Sequence, residues 1–182
     1  MQTRIIVGIV VLAISGASGL YLVMKDARSA GHDAKNDVIS KNVQNATFEI
    51  DSTRVTLHDG ESSVSAAPGS AAAVVTRYFG NEARGDFNRD GYNDVAFILT
   101  QSPGGSGTFY YVAVALGTKS GYRGTNAIVL GDRISPQTTE YRLGKIIVNF
   151  ADRKPTDAMT VKPSVGVSKY FEVQGDSLVE SQ

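Results

Sequence analysis

The sequence predicts a mainly β domain, a sandwich or open barrel of about ten short antiparallel strands, carried behind an N-terminal transmembrane helix. Three observations predict it. From Ala46 onward, short runs rich in valine, isoleucine and aromatics recur between Gly, Asp and Ser turn signals, and no long stretch keeps a helical period. One unbroken uncharged run, Ile5 to Met24, lies near the start. No segment repeats at a fixed period, which excludes a full propeller of about four or more blades.

The elements follow in order. Ile5–Met24 is twenty residues long, with Arg4 before it and Lys25 after it. At about 1.5 Å per residue it crosses a hydrocarbon core of about 30 Å. A cleavable export signal has a shorter apolar core, so residues 1–25 read as an uncleaved signal anchor; Ala27-Arg28-Ser29 is the site that would release a secreted form. Residues 26–45 are polar, mixed in charge and poor in large apolar side chains, and read as a tether. Residues 46–182 are the β domain.

Its expected strands are Thr47–Ile50, Arg54–Leu57, Val74–Phe79, Asp94–Thr100, Thr108–Leu116, Tyr122–Leu130, Glu140–Leu143, Lys145–Asn149, Lys169–Val173 and Leu178–Glu180. His58-Asp59-Gly60, Gly144 and Gln174-Gly175-Asp176 fall where hairpin turns belong. One short helix is expected near Gly69–Val75.

Composition narrows the function. There is no cysteine, so disulfides, thiol chemistry and a lipoprotein lipobox are excluded. The formal charge is zero, and from Asp26 onward 16 basic residues face 18 acidic ones. Basic residues are neither in excess nor clustered, so no nucleic-acid partner is expected. His32 and His58 are the two histidines, which rules out a three-histidine zinc site and leaves a Ser-His-Asp triad resting on His58 alone. Gly104-Gly105-Ser106-Gly107 lacks the Gly-Lys-Ser/Thr close of a phosphate loop and reads as a flexible connection.

The most informative segment is Gly85 to Asp94. It sets side-chain oxygens at Asp86, Asn88, Asp90 and Asp94 around Gly91, and the Tyr92 carbonyl offers a backbone ligand. All are hard oxygen donors, which favour calcium over zinc or copper. An EF-hand would place a bidentate glutamate at the twelfth position, where this chain has Phe97. The closing acid is instead the ninth, Asp94, followed directly by Val95-Ala96-Phe97-Ile98-Leu99. The competing reading is that Asp90-Gly91 is a plain hairpin turn.

That loop resembles the calcium loops of FG-GAP repeats, the blades of integrin-type propellers, in which Asp-x-Asp/Asn-x-Asp-Gly-x-x-Asp precedes an apolar strand. The resemblance implies a structural calcium ion. Further words, Thr76–Asn81, Gly105–Val112, Leu130–Ile134, Val148–Pro155 and Pro163–Phe171, resemble an uncharacterised family of small bacterial exported or membrane-anchored proteins. A more distant likeness is to mycobacterial-type small lipoproteins. The likeness to the exported family covers about residues 46–182, whereas the distant one is limited to the acidic loop, Gly131-Asp132-Arg133 and Met159 to Tyr170; both imply an envelope-anchored or secreted domain and no reaction.

Charge around the apolar run does not orient it, since Arg4 lies on one side and Lys25, Arg28 and Lys35 on the other. Calcium does. A loop with few carboxylates binds weakly and suits the high calcium outside cells, which places the domain outside the cytoplasm. The expected function is therefore a membrane-anchored, non-catalytic envelope domain with a structural calcium ion and a cell-wall polymer or protein as partner. The alternative is an envelope hydrolase or transferase using Asp132 and Asp152, each of which follows an apolar strand beside an arginine.

Overall fold

The computed structural model describes residues 41–182, and within them the chain is almost entirely strand and turn. The expected span Ile5–Met24 and the tether up to residue 40 lie outside the described residues. The described residues belong to one compact unit.

Twelve strands appear: β1 Thr47–Ile50, β2 Thr53–Thr56, β3 Glu61–Ser65, β4 Ala73–Gly85, β5 Asp94–Ser102, β6 Phe109–Thr118, β7 Gly121–Gly124, β8 Ile128–Asp132, β9 Ser135–Arg142, β10 Lys145–Asp152, β11 Val165–Gln174 and β12 Ser177–Ser181. They form three antiparallel sheets. One is the hairpin β1–β2; one runs β12-β11-β10-β9; the third runs β3-β4-β5-β6-β7, with β8 also on β6. β7 and β8 pair with successive halves of β6, Leu116 opposite Arg123 and Val112 opposite Ile128.

The core explains the apolar run after Asp94. Strand side chains alternate between faces, so a strand covered on both faces needs apolar residues throughout. Ala96, Ile98, Val112 and Val114 face one cluster with Ile146, Val148, Phe150, Phe171 and Leu178 of the four-stranded sheet. Val95, Phe97, Leu99, Tyr111 and Ala113 face a second cluster with Phe48, Ile50 and Leu57. The central hairpin β5–β6 therefore lies between two apolar layers.

Several expectations are corrected. Among the described residues there is no α-helix; Gly69–Val75 passes from a turn into β4, whose Val75, Thr76 and Arg77 pair with Ser63, Ser62 and Glu61. Alanine is the best intrinsic helix former, but three alanines behind Gly69 and Ser70 are too few to sustain a helix, and strand pairing on both sides of β4 overrides the preference of Ala71-Ala72-Ala73. The single strand expected over Tyr122–Leu130 is broken at Thr125–Ala127. The ordered body also begins ahead of Ala46, because Val43, in a short 3-10 turn Val43–Asn45, is 7 % exposed and packs in the second cluster.

The break at Thr125–Ala127 joins all three sheets. Thr125 N donates to Val114 O at 2.9 Å, Glu49 N donates to Thr125 O and Ala127 N to Glu49 O. The Asn126 side chain donates to Leu178 O at 2.9 Å and accepts from Leu178 N at 2.8 Å. An amide side chain thus does the work of a strand backbone, carrying the six-stranded sheet across to β12.

Candidate metal centre

The loop from Asp86 to Asn93 connects β4 to β5, whose ends pair Gly85 with Asp94. Arg89 and Gly91 have φ of 61° and 87°. Asp90-Gly91 is thus not the two-residue hairpin turn of the competing reading but part of an eight-residue coil, in which Gly91 takes a conformation costly to other residues.

Each expected ligand has a defined place. Asp86 Oδ1 accepts from Asp90 N at 3.0 Å and Asp86 Oδ2 from Gly91 N at 2.9 Å. Asn88 Oδ1 accepts from Asp90 N at 3.2 Å, and Asn88 Nδ2 donates to Asp90 Oδ2 at 2.9 Å. Asp90 Oδ1 accepts from Tyr92 N at 2.9 Å. Asp94 is fully buried; its oxygens accept from Phe87 N and Gly117 N, both at 2.7 Å. Tyr92 is half-exposed.

Asp94 therefore has a task independent of any ion. It ties the loop to the start of β5 and to the end of β6. Burial pushes its carboxyl above the ordinary range, the two N–H donors oppose that shift, and the negative charge of Asp90 adds to it.

Calcium fits the donor chemistry. Four oxygen-bearing side chains and a carbonyl belong to one short coil, and a carboxylate oxygen that takes one N–H keeps a second lone pair. Among the described residues no three Asp, Glu or His side chains are drawn around a common point. The carboxylates are instead turned to the loop's own N–H groups, so coordination would re-aim Asp86 and Asp90 and supply the charge balance that buried Asp94 lacks.

Asp132 and Asp152 do come to a common edge, with Asp152 Oδ2 within 3.9 Å of the Cβ position on Gly131. The Asp132 carboxylate accepts from Thr108 N at 2.9 Å and from Arg133 Nη2 at 2.9 Å. The Arg133 guanidinium is the main reason that its carboxyl lies below the usual range. Arg153 Nη1 donates to Arg133 O at 2.8 Å and Arg153 Nε to Val161 O at 2.5 Å. A general acid needs a raised carboxyl; Asp132 has the opposite, and the arrangement pins the loop after β10 to the turn between β8 and β9. Of the tyrosines, Tyr111 is buried in the second cluster, and Tyr110 meets Phe79 edge-on at 5.7 Å.

Nothing in the loop's spacing foretold the Gly117 contact, and Asn126 carried no signal beyond an amide inside an apolar stretch. No protein-family model matches the chain, and no curated protein or solved structure matches it.

Proposed function

We propose that this protein is a membrane-anchored extracytoplasmic domain, a layered β-sandwich body stabilised by one calcium ion in the loop 86–94, with a binding role in the cell envelope. The observation that carries the reading is the coil itself, where Asp86, Asn88, Asp90, the Tyr92 carbonyl and Asp94 are strung along nine residues that end on a fully buried carboxylate. A cation there would offset the proximity of Asp90 to Asp94 and would clamp the β4–β5 connection at the centre of the sheet. The apolar run Ile5–Met24 supports a membrane anchor. The resemblance of its words to small bacterial exported proteins points the same way. The partners by this reading are a cell-wall polymer or another envelope protein, met by the strand surface.

The test is a thermal melt of residues 36–182 at about millimolar calcium and again in chelator, with Asp90→Ala alongside. Binding to the native state alone is expected to add about 1–3 kcal/mol, absent in the variant. An equal melting temperature in both conditions would remove the calcium.

A further inference from the structure

The two-residue turn between β9 and β10 is Leu143-Gly144, with φ of 54° and 80°. This is the type I′ geometry, which Asn-Gly or Asp-Gly fills with least strain. Leucine at the first position is strained, and its side chain is 93 % exposed. Neither core gains from it. A lone exposed leucine needs no explanation; one held in a strained turn between cations does.

Arg142 and Lys145 flank the turn, and Arg89 Nη2 lies 3.9 Å from the Cβ position on Gly144. Beside it is a groove of about 230 Å³ lined by Phe87, Asn88, Arg89, Gly144, Glu172 and Val173. Glu172 is 3.8 Å from Lys145 Nζ, which also stands 5.9 Å over the Tyr170 ring. Arg89 and Arg142 form no ion pair with any described residue. The neighbouring Asp86 and Asp90 are engaged by the loop's own N–H groups.

We infer that this hairpin tip docks on a bilayer surface rich in anionic phospholipid. Leu143 enters the boundary between headgroups and acyl chains, and Arg89 at the groove and Arg142 beside the turn meet lipid phosphates. The inference rests on the membrane-tethered reading, because the tether supplies the surface; it does not require calcium.

The chain has no tryptophan, so Leu143→Trp places a single fluorophore at the tip. With residues 36–182, which hold both apolar clusters, its emission should shift to the blue on vesicles of phosphatidylcholine with phosphatidylglycerol and stay unshifted on phosphatidylcholine alone. Arg89→Gln and Arg142→Gln should each weaken binding about fivefold. In co-sedimentation of the tryptophan-free chain with the same anionic vesicles, Leu143→Asn should weaken binding about tenfold relative to Leu143 while the melting temperature holds or rises, since asparagine suits the turn. Unshifted emission on the anionic vesicles, or Leu143→Asn binding as tightly as its parent, overturns the docking. Release of the full-length chain from cell membranes by alkaline carbonate, with the vesicle results intact, removes the anchor and leaves the docking standing.

Discussion

Replacing Asn126 by alanine removes the link between the six-stranded sheet and β12. Two hydrogen bonds are lost, from Nδ2 to Leu178 O and from Leu178 N to Oδ1, at 2.9 and 2.8 Å. Leu178 is 1 % exposed, so water reaches its freed N–H and C=O poorly. Each orphaned group costs about 1–3 kcal/mol, and partial hydration of the gap brings the expected total to about 3 kcal/mol. For a domain of this size that lowers the melting temperature by roughly 10 °C. Circular dichroism melts, paired with urea unfolding of unchanged slope, would measure it, and amide exchange should quicken first at Leu178. Asn126→Asp serves as the control. It keeps an acceptor for Leu178 N but sets a carboxylate oxygen against Leu178 O, and should be no more stable than the alanine variant. If Asn126→Ala stays within about 0.5 kcal/mol of the parent, the amide is not a joint between sheets.

Two further outcomes follow from the same packing. A methyl at Gly124 would overlap the Thr47 carbonyl oxygen and come to 2.6 Å from Phe48 Cδ1, so Gly124→Ala should cost about 3 kcal/mol or more in urea unfolding and loosen β1 from β7. Asp132 contributes stability through a depressed folded carboxyl, present in full above its unfolded value of about 3.9 and lost as pH falls through the lower folded value. Asp132→Asn should therefore differ most from the parent near neutral pH and converge with it in acid; a difference that persists unchanged below about pH 3 would mean that the carboxylate charge is not what holds the Thr108 and Arg133 contacts.

Much of the β architecture was legible because β5, β6, β10 and β11 carry enough apolar residues to mark them. Val95–Leu99 reads as a buried strand from its unbroken run, and both of its faces are indeed covered. Elements at edges were harder to see. β3, Glu-Ser-Ser-Val-Ser, buries almost nothing and exists through its pairing with β4. β9 begins at Ser135 despite Pro136, which is tolerated because β9 is an edge strand and the register shifts opposite Asn149/Phe150. Gly80 and Asn81, at φ of 93° and 56°, look like a strand end in sequence but form an irregularity within a longer β4. At the loop, residue types and spacing were readable, whereas the Asp94 bond to Gly117 joins residues far apart in the chain, and no local pattern encodes it. Leu143 was assigned to a strand end, because a leucine beside a glycine carries no hint of positive φ.

The doubly covered hairpin β5–β6 has a consequence for how the chain must be made. Synthesis proceeds from the amino terminus, so Val95–Leu99 and Tyr111–Leu116 leave the ribosome before any of β9 to β12, the strands that shield Ile98, Val112 and Val114. For that interval one broad apolar surface has no partner of its own, and its strands have the composition that readily pairs with other copies. That surface is closed only when Phe150 and Phe171 arrive, so the last strands to be made are the ones that protect the first.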